Sequence, residues 1–160
     1  MNAWKEHKNY KMRVFVATKD GSADAVGFYT LTFISWIIDD SVSAKVGAKL
    51  NSFREGAAVP AIYLAKLGVC ESEKKQGFGA RLVSDAFQRC VRIADEAHIS
   101  TLTLEAIHEE RAGWYERLGF ERFGPGDLRM AISLSVLRGA SNPIPNISPA
   151  GAKPDQEEPR

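Results

Sequence analysis

The sequence predicts an α/β domain in which a mixed central sheet, with a parallel strand–helix–strand core, is flanked by helices. Three observations carry this. Residues 61–69 (AIYLAKLGV) form a nearly continuous apolar run behind Pro60, too short for a typical helix and therefore a strand covered on both faces. Over residues 81–97, Leu82, Val83, Ala86, Phe87, Cys90, Val91, Ala94 and Ala97 recur at spacings of three and four with Arg81, Asp85, Arg89, Arg92, Asp95 and Glu96 between them. That is the packed face and the wet face of a helix of about five turns. Residues 101–107 then alternate, with Leu102, Leu104 and Ala106 on one face, and two strands joined through a helix lie parallel in one sheet.

The remaining elements follow in chain order. Residues 1–11 are polar and basic, with Lys5, Lys8 and Lys11 against Glu6; a short surface helix and a frayed end both fit. Residues 12–18 alternate, the polar run 19–24 interrupts them, and residues 25–34 resume with β-branched and aromatic side chains, which is an antiparallel hairpin. In the connection 35–58, Val46, Leu50 and Phe53 fall at i, i+4 and i+7, permitting a short helix between Ser43 and Arg54 that Gly47 weakens. A connection this long in a small domain is often functional, so the acceptor side of an active site is placed here. Gly68, inside the apolar strand, predicts a bulge or the close approach of another backbone. Residues 108–120 form a second helix, with Glu109 and Glu110 suiting its positive start and Gly119 its stop. Residues 128–137 alternate and close the sheet. From Gly139 the chain turns to Pro, Ser, Asn and Ala, a disordered tail. The division is thus a polar segment 1–11, a domain 12–138 and a tail 139–160.

Composition narrows the function classes. The chain has 160 residues, enough for one domain, with 44% hydrophobic and 26% charged residues. A net charge of +1 removes any general basicity that would demand a nucleic acid partner. The apolar runs fall far short of the roughly 20 residues that span a bilayer, so no membrane partner and a cytoplasmic location are expected. Cys70 and Cys90 make no disulfide framework, and with His7, His98 and His108 they show no zinc-type spacing, so no metal is expected. Cys90 belongs to the apolar helix face. Cys70 lacks an identifiable activating partner.

Chemistry concentrates in the loop Lys74-Lys75-Gln76-Gly77-Phe78-Gly79-Ala80. Glycines at i and i+2 before a helix let backbone N–H groups converge on an anion, and two lysines add positive charge. An ordinary strand-to-helix turn that needs glycine for positive φ is the other reading. The loop resembles motif A of the GNAT acetyltransferase superfamily, Arg/Gln-x-x-Gly-x-Gly/Ala, written here as Lys74-x-x-Gly77-x-Gly79; lysine keeps the cation but lacks a planar fork. About 35 residues later, Ala112-Gly113-Trp114-Tyr115-Glu116-Arg117-Leu118-Gly119-Phe120 resembles motif B of the same superfamily. The resemblance covers about residues 12 to 137 and implies the GNAT fold.

It also implies roles. The backbone of Leu67, Gly68 and Val69 pairs with the pantetheine arm of acetyl-CoA, the cosubstrate. Lys75, Gln76, Gly77, Phe78, Gly79 and Ala80 hold its pyrophosphate, with Lys74 beside them. Tyr115 stands near the sulfur and protonates the departing thiolate, a role suited to a phenol titrating near 10 beside a thiol titrating near 8.5. A backbone N–H near Val69 is the candidate donor to the carbonyl oxygen. Glu105 and Glu109 are candidate bases for the acceptor amine, or surface and helix-end charges.

A narrower resemblance, carried by Phe15-Val16-Ala17, Gly27-Phe28-Tyr29-Thr30-Leu31, residues 60–69 and residues 106–112, points to the branch containing bacterial toxins of toxin–antitoxin pairs. Those toxins acetylate the α-amino group of aminoacyl-tRNA and bind ribbon-helix-helix antitoxins. Lys5, Lys8, Lys11 and Arg13 then face RNA phosphates, or form a solvated charged surface. Three positions depart from the family pattern: eleven residues stand where the family has a strand and one or two helices before the hairpin, His108 replaces an aspartate cap, and Lys74 replaces Arg or Gln. The short N-terminus fits a reduced chain, one completed by a second subunit as a homodimer, or an impaired enzyme. The competing function class is a non-catalytic CoA-binding module acting through a protein partner.

Overall fold

In a computed structural model, residues 11–37, 46, 56 and 58–139 are described. The polar segment 1–10, most of the helix expected at 43–54 and the tail from 140 lie outside them. The elements run β1 (Arg13–Thr18), β2 (Ala25–Ile37), β3 (Ala58–Val69), a 3-10 turn (Glu71–Glu73), α1 (Phe78–Ala97), β4 (Thr101–Glu105), α2 (Glu109–Arg117), β5 (Glu121–Arg122), β6 (Arg129–Ser133) and α3 (Leu134–Gly139). Their sheet order is β1-β2-β3-β4-β6-β5. Only β3 and β4 are parallel; the other pairs are antiparallel. The mixed α/β sheet and its helical crossover are as the periodicities require.

One face of the sheet makes the main core. Tyr29 and Leu31 of β2, Ile62 and Leu64 of β3, Leu102 and Leu104 of β4, and Met130 and Ile132 of β6 meet Leu82, Val83, Ala86, Phe87, Cys90 and Ala94 of α1. Ala97, at the end of the helix's apolar series, is exposed. Burial pushes the Cys90 thiol up to about 12, which leaves it an inert core residue. On the opposite face, Trp36 packs edge-on to Phe123 at 5.1 Å, and its indole N–H donates to Thr103 Oγ1 at 3.0 Å. The Tyr29 hydroxyl donates to Asp85 on α1, and Arg89 donates to the same carboxylate at 2.8 Å. Burial works to raise the Asp85 carboxyl, but the hydrogen bonds from Arg89 and Tyr29 outweigh it and hold it below the usual range.

Four expectations are corrected. The bulge lies not at Gly68 but at Ala65, which is left over where Thr30 pairs with Lys66 and Leu31 with Leu64. Gly68 instead answers to a close approach: an added Cβ would meet the Phe28 ring at 2.9 Å, while one on Gly27 would meet the Gly68 carbonyl oxygen at 2.7 Å. The central helix starts at Phe78 rather than Arg81, because Gly77, at φ 82°, turns the chain into the helix. Residues 128–137 do not form one strand. β6 ends at Ser133 and the chain turns helical, burying Leu134 and Leu137 on one side of α3 and pairing Arg138 with Asp95 of α1. Finally, the two-residue strand β5 was not foreseen.

Candidate active site

The site begins where β3 leaves its parallel neighbour. β3 and β4 are in register at Ile62 with Leu102 and Tyr63 with Thr103, and no pairing between them continues beyond. At its other edge β3 stays with β2 to Val69. The Cys70 N–H donates to the Val26 carbonyl at 2.8 Å, which fixes the phase of that ladder. Backbone groups in an antiparallel pair alternate between facing the partner and facing away. Gly68 and Lys66, in phase with Cys70, therefore turn their N–H and C=O toward β2. Leu67 and Val69 turn theirs toward the splayed β4 side, a free strand edge at the end of the sheet.

The loop that follows aims a second set of backbone donors at the same end. After the 3-10 turn, Lys75 and Gly77 take positive φ values of 64° and 82°. Such values suit glycine and strain a side-chain-bearing residue, so Lys75 is held there by its neighbours. The first helical bond of α1 runs from the Arg81 N–H to the Gly77 carbonyl at 3.2 Å. No side chain caps Gly77, and the first turn contains no acidic residue. The amides of Phe78, Gly79 and Ala80 thus remain the unpaired donors of a helix start, at the positive end of a 20-residue dipole. The space beside Gly77 is open: an added Cβ there would meet nothing within 4 Å. The predicted residues Lys74, Lys75, Gln76 and Gly77 are exposed, while Phe78, Gly79 and Ala80 are half-buried.

The side chains of the loop are partly committed elsewhere. Lys74 pairs with Glu71, so its charge is already answered. The Gln76 side-chain amide donates to the Ser72 carbonyl at 3.1 Å and braces the loop. The backbone amides of Phe78, Gly79 and Ala80 are left uncommitted.

The second motif meets the first. An added Cβ on Gly79 would lie 3.9 Å from both the Trp114 ring and a Val69 methyl, so α2 packs against the start of α1 and the end of β3. Tyr115 follows Trp114, 7% exposed, its ring edge-on to Trp114 at 4.9 Å and to Phe120 at 5.6 Å. Burial raises the Tyr115 phenol above its ordinary value despite the opposing pull of Arg111. It is therefore a protonated donor throughout the physiological range. Its hydroxyl has no hydrogen-bond partner among the described residues.

α2 is set in place by its ends. The His108 ring Nδ1 accepts from the Arg111 N–H at 3.3 Å, a long cap where aspartate is the usual choice. At the other end Gly119, at φ 96°, lets the Phe120 N–H reach back to the Tyr115 carbonyl at 3.2 Å. Glu109 is bound by Arg122, whose guanidinium hydrogen bond lowers its carboxyl and makes it a weaker base. Glu105 is exposed at the end of β4. Cys70 is exposed, and its thiol donates to the Ala25 carbonyl at 3.0 Å. Sequence reasoning missed a contact at this site: Lys19, in the turn between β1 and β2, pairs with Glu73 at 2.6 Å across 54 residues.

Comparison with known proteins agrees with the geometry. The chain matches the Acetyltransferase (GNAT) family over residues 2–120. It is 32% identical over 109 residues to a tRNA-acetylating toxin of Mycobacterium tuberculosis, covering 68% of this chain and 61% of that protein; it thus spans less than two thirds of that relative. Among solved structures, AtaT complexed with acetyl-methionyl-tRNAfMet matches with a TM-score of 0.71 at 21% identity, over 84% of this chain and 78% of AtaT. A mutant AtaT toxin bound to the C-terminus of the antitoxin AtaR and acetyl-CoA matches with a TM-score of 0.66 at 20% identity, over 84% and 74%. At these identities the solved structures speak for the fold.

Proposed function

The chain belongs to the GNAT acetyltransferase family, which matches it over residues 2–120, and from that premise we propose that it transfers the acetyl group of acetyl-CoA to the α-amino group of aminoacyl-tRNA. The observation that supports the proposal is the meeting, at one end of the sheet, of an uncapped helix start, a free edge of β3 and Trp114 of α2, the neighbour of the buried Tyr115. An anion, an extended amide-bearing arm and a thioester are the three parts of acetyl-CoA, and this end of the sheet offers a counterpart to each.

In this reading the amides over residues 75–80 receive the diphosphate, with Lys75 adding charge. The outward-facing groups of Leu67 and Val69 pair with the pantetheine amides, and Gly68 keeps the strand bound to β2 while they do so. Acetyl-CoA supplies an activated acyl carbon and a thiol leaving group. The acceptor amine attacks that carbon, a backbone N–H near Val69 steadies the carbonyl oxygen, and Tyr115 hands its proton to the sulfur. Lysine amines titrate near 10.4 and need a base, whereas an α-amino group titrates at about 7.7 to 8.0 and is partly neutral already. With Glu109 held by Arg122, a low-pKa acceptor suits this site better than a lysine amine. The tRNA-acetylating relative and the tRNA complex of AtaT point the same way. The antitoxin complex of AtaT supports a toxin role with a protein antitoxin as partner. Charged tRNA also sets the location as cytoplasmic.

The direct test incubates the protein with acetyl-CoA and charged tRNA, digests the RNA and measures the mass of the aminoacyl-adenosine. Gain of one acetyl group is expected; thiol release without it would reject the acceptor. The pH profile carries a second expectation. An amine must lose its proton to attack, so kcat/KM should rise with pH through about 8 and level off above about 9. Tyr115 acts protonated and burial raises its pKa, so no descending limb should appear below about pH 10. A bell-shaped profile falling between pH 8 and 9 would assign the proton donor to another group.

A further inference from the structure

The β1–β2 turn and the first residues of β2 reach the segment in front of α1 through two kinds of contact. One is neutral: the Cys70 N–H and thiol donate to the carbonyls of Val26 and Ala25. The other is charged. Glu73, the last residue of the 3-10 turn, is 9% exposed, and its Oε1 accepts from the Lys19 ammonium at 2.6 Å. Its Oε2 is buried and has no hydrogen-bond partner among the described residues. Lys19 itself is half in solvent, its side chain 53% exposed.

A carboxylate with one oxygen buried and unpartnered among the described residues is an expensive group to keep, and Lys19 is the cation that answers its charge. Its position makes that charge consequential. Glu73 lies four residues before Gly77, on the loop whose amides face an incoming anion. Lys74, next in the chain, is already paired with Glu71 and cannot offset it. Removing Lys19 would therefore leave that negative charge unanswered on the loop that leads into a site built to receive negative charge.

We propose that Lys19 is a positioning residue for the nucleotide end of acetyl-CoA: by neutralising Glu73 it keeps the residue 75–80 amides electrostatically open to a diphosphate. This rests on the acetyl-CoA reading above. The effect concerns the diphosphate and not the thioester, so Lys19 governs affinity and leaves the chemical step alone.

Calorimetry with acetyl-CoA and with S-acetylpantetheine, which lacks the diphosphate, tests it on wild type, Lys19→Ala and the neutral double variant Lys19→Met/Glu73→Gln. Lys19→Ala should weaken acetyl-CoA binding about tenfold, with KM rising in step and kcat within about twofold. S-acetylpantetheine should be indifferent to it. The double variant should recover most of the lost affinity, because it removes the anion together with its partner; a purely structural strut would be broken equally in both. Unchanged acetyl-CoA binding in Lys19→Ala, an equal loss for both cosubstrates, or a double variant as weak as the single one would overturn the inference. Wild type that binds no acetyl-CoA would overturn the inference and the proposed function together, and so is told apart from failure of the inference alone.

Discussion

Replacing Tyr115 by phenylalanine should lower kcat about 10²- to 10⁴-fold, the usual range for losing a positioned proton donor, and leave acetyl-CoA affinity within about twofold. The ring would stay where it is. Its contacts with Trp114 and Phe120 are made by the aromatic edges and faces, and phenylalanine keeps both. The hydroxyl has no partner among the described residues, so its removal strands no donor or acceptor there, and the thermal midpoint should move by less than about 2 °C. A hydroxyl that is protonated and without a partner among the described residues makes no evident contribution to the fold, which is what directs attention to its chemistry. Release of free thiol, followed with a chromogenic disulfide in the presence of acceptor, reads the loss; turnover equal to wild type would take Tyr115 out of the mechanism.

Gly77→Ala should act at the other end of the cosubstrate, raising the dissociation constant for acetyl-CoA by about tenfold or more. No side chain occupies the space an alanine methyl would enter, so the cause is not a clash within the protein. It is the backbone: φ of 82° costs an L-residue roughly 1 to 2 kcal/mol, and relaxing it would rotate the amides of residues 77–79 away from their common focus. For a chain of this size a cost near 1 kcal/mol lowers the midpoint by about 2 to 4 °C, so the protein should remain folded while binding fails. Gly79→Ala is the control. Its new Cβ would meet Trp114 and Val69 at an ordinary 3.9 Å, and alanine is the better helix former, so this variant should keep or gain stability. Calorimetry on both variants distinguishes a backbone cup from a generic glycine-rich turn, since equal binding by wild type and Gly77→Ala would leave the helix start without a role.

Periodicity made the hairpin, β3 and α1 legible, because each has one unambiguous spacing of apolar residues. Residues 128–137 failed where two spacings coincide. Leu134 and Val136 extend the alternation of β6 as a strand would, while Leu134 and Leu137, three apart, share one side of a helix. The contacts that decide between them, the Leu134 N–H to the Ser100 carbonyl and Arg138 to Asp95, lie more than thirty residues away in the chain. The start of α1 was placed late because glycine is a poor helix former; at Gly77 it is instead the residue that permits entry. The bulge at Ala65 leaves no mark in the residue types around it.

The site divides in the same way. The donors over residues 75–80 could be read from glycine spacing and chemistry. That Tyr115 belongs with them came from the resemblance, and the contact of Trp114 with Gly79 gives it a physical basis. The pairing of Lys19 with Glu73 was beyond reach, since a lysine in a polar turn and a glutamate in a charged loop each look like ordinary surface until the fold joins them.

A crystal structure of the complex with acetyl-CoA tests the arrangement most directly. The diphosphate oxygens should lie within about 3 Å of the amides of Gly77, Phe78, Gly79 and Ala80, with the pantetheine arm paired to Leu67 and Val69 and the Tyr115 hydroxyl within hydrogen-bond reach of the sulfur. A diphosphate bound by lysine side chains away from the helix start, or a sulfur remote from Tyr115, would contradict it.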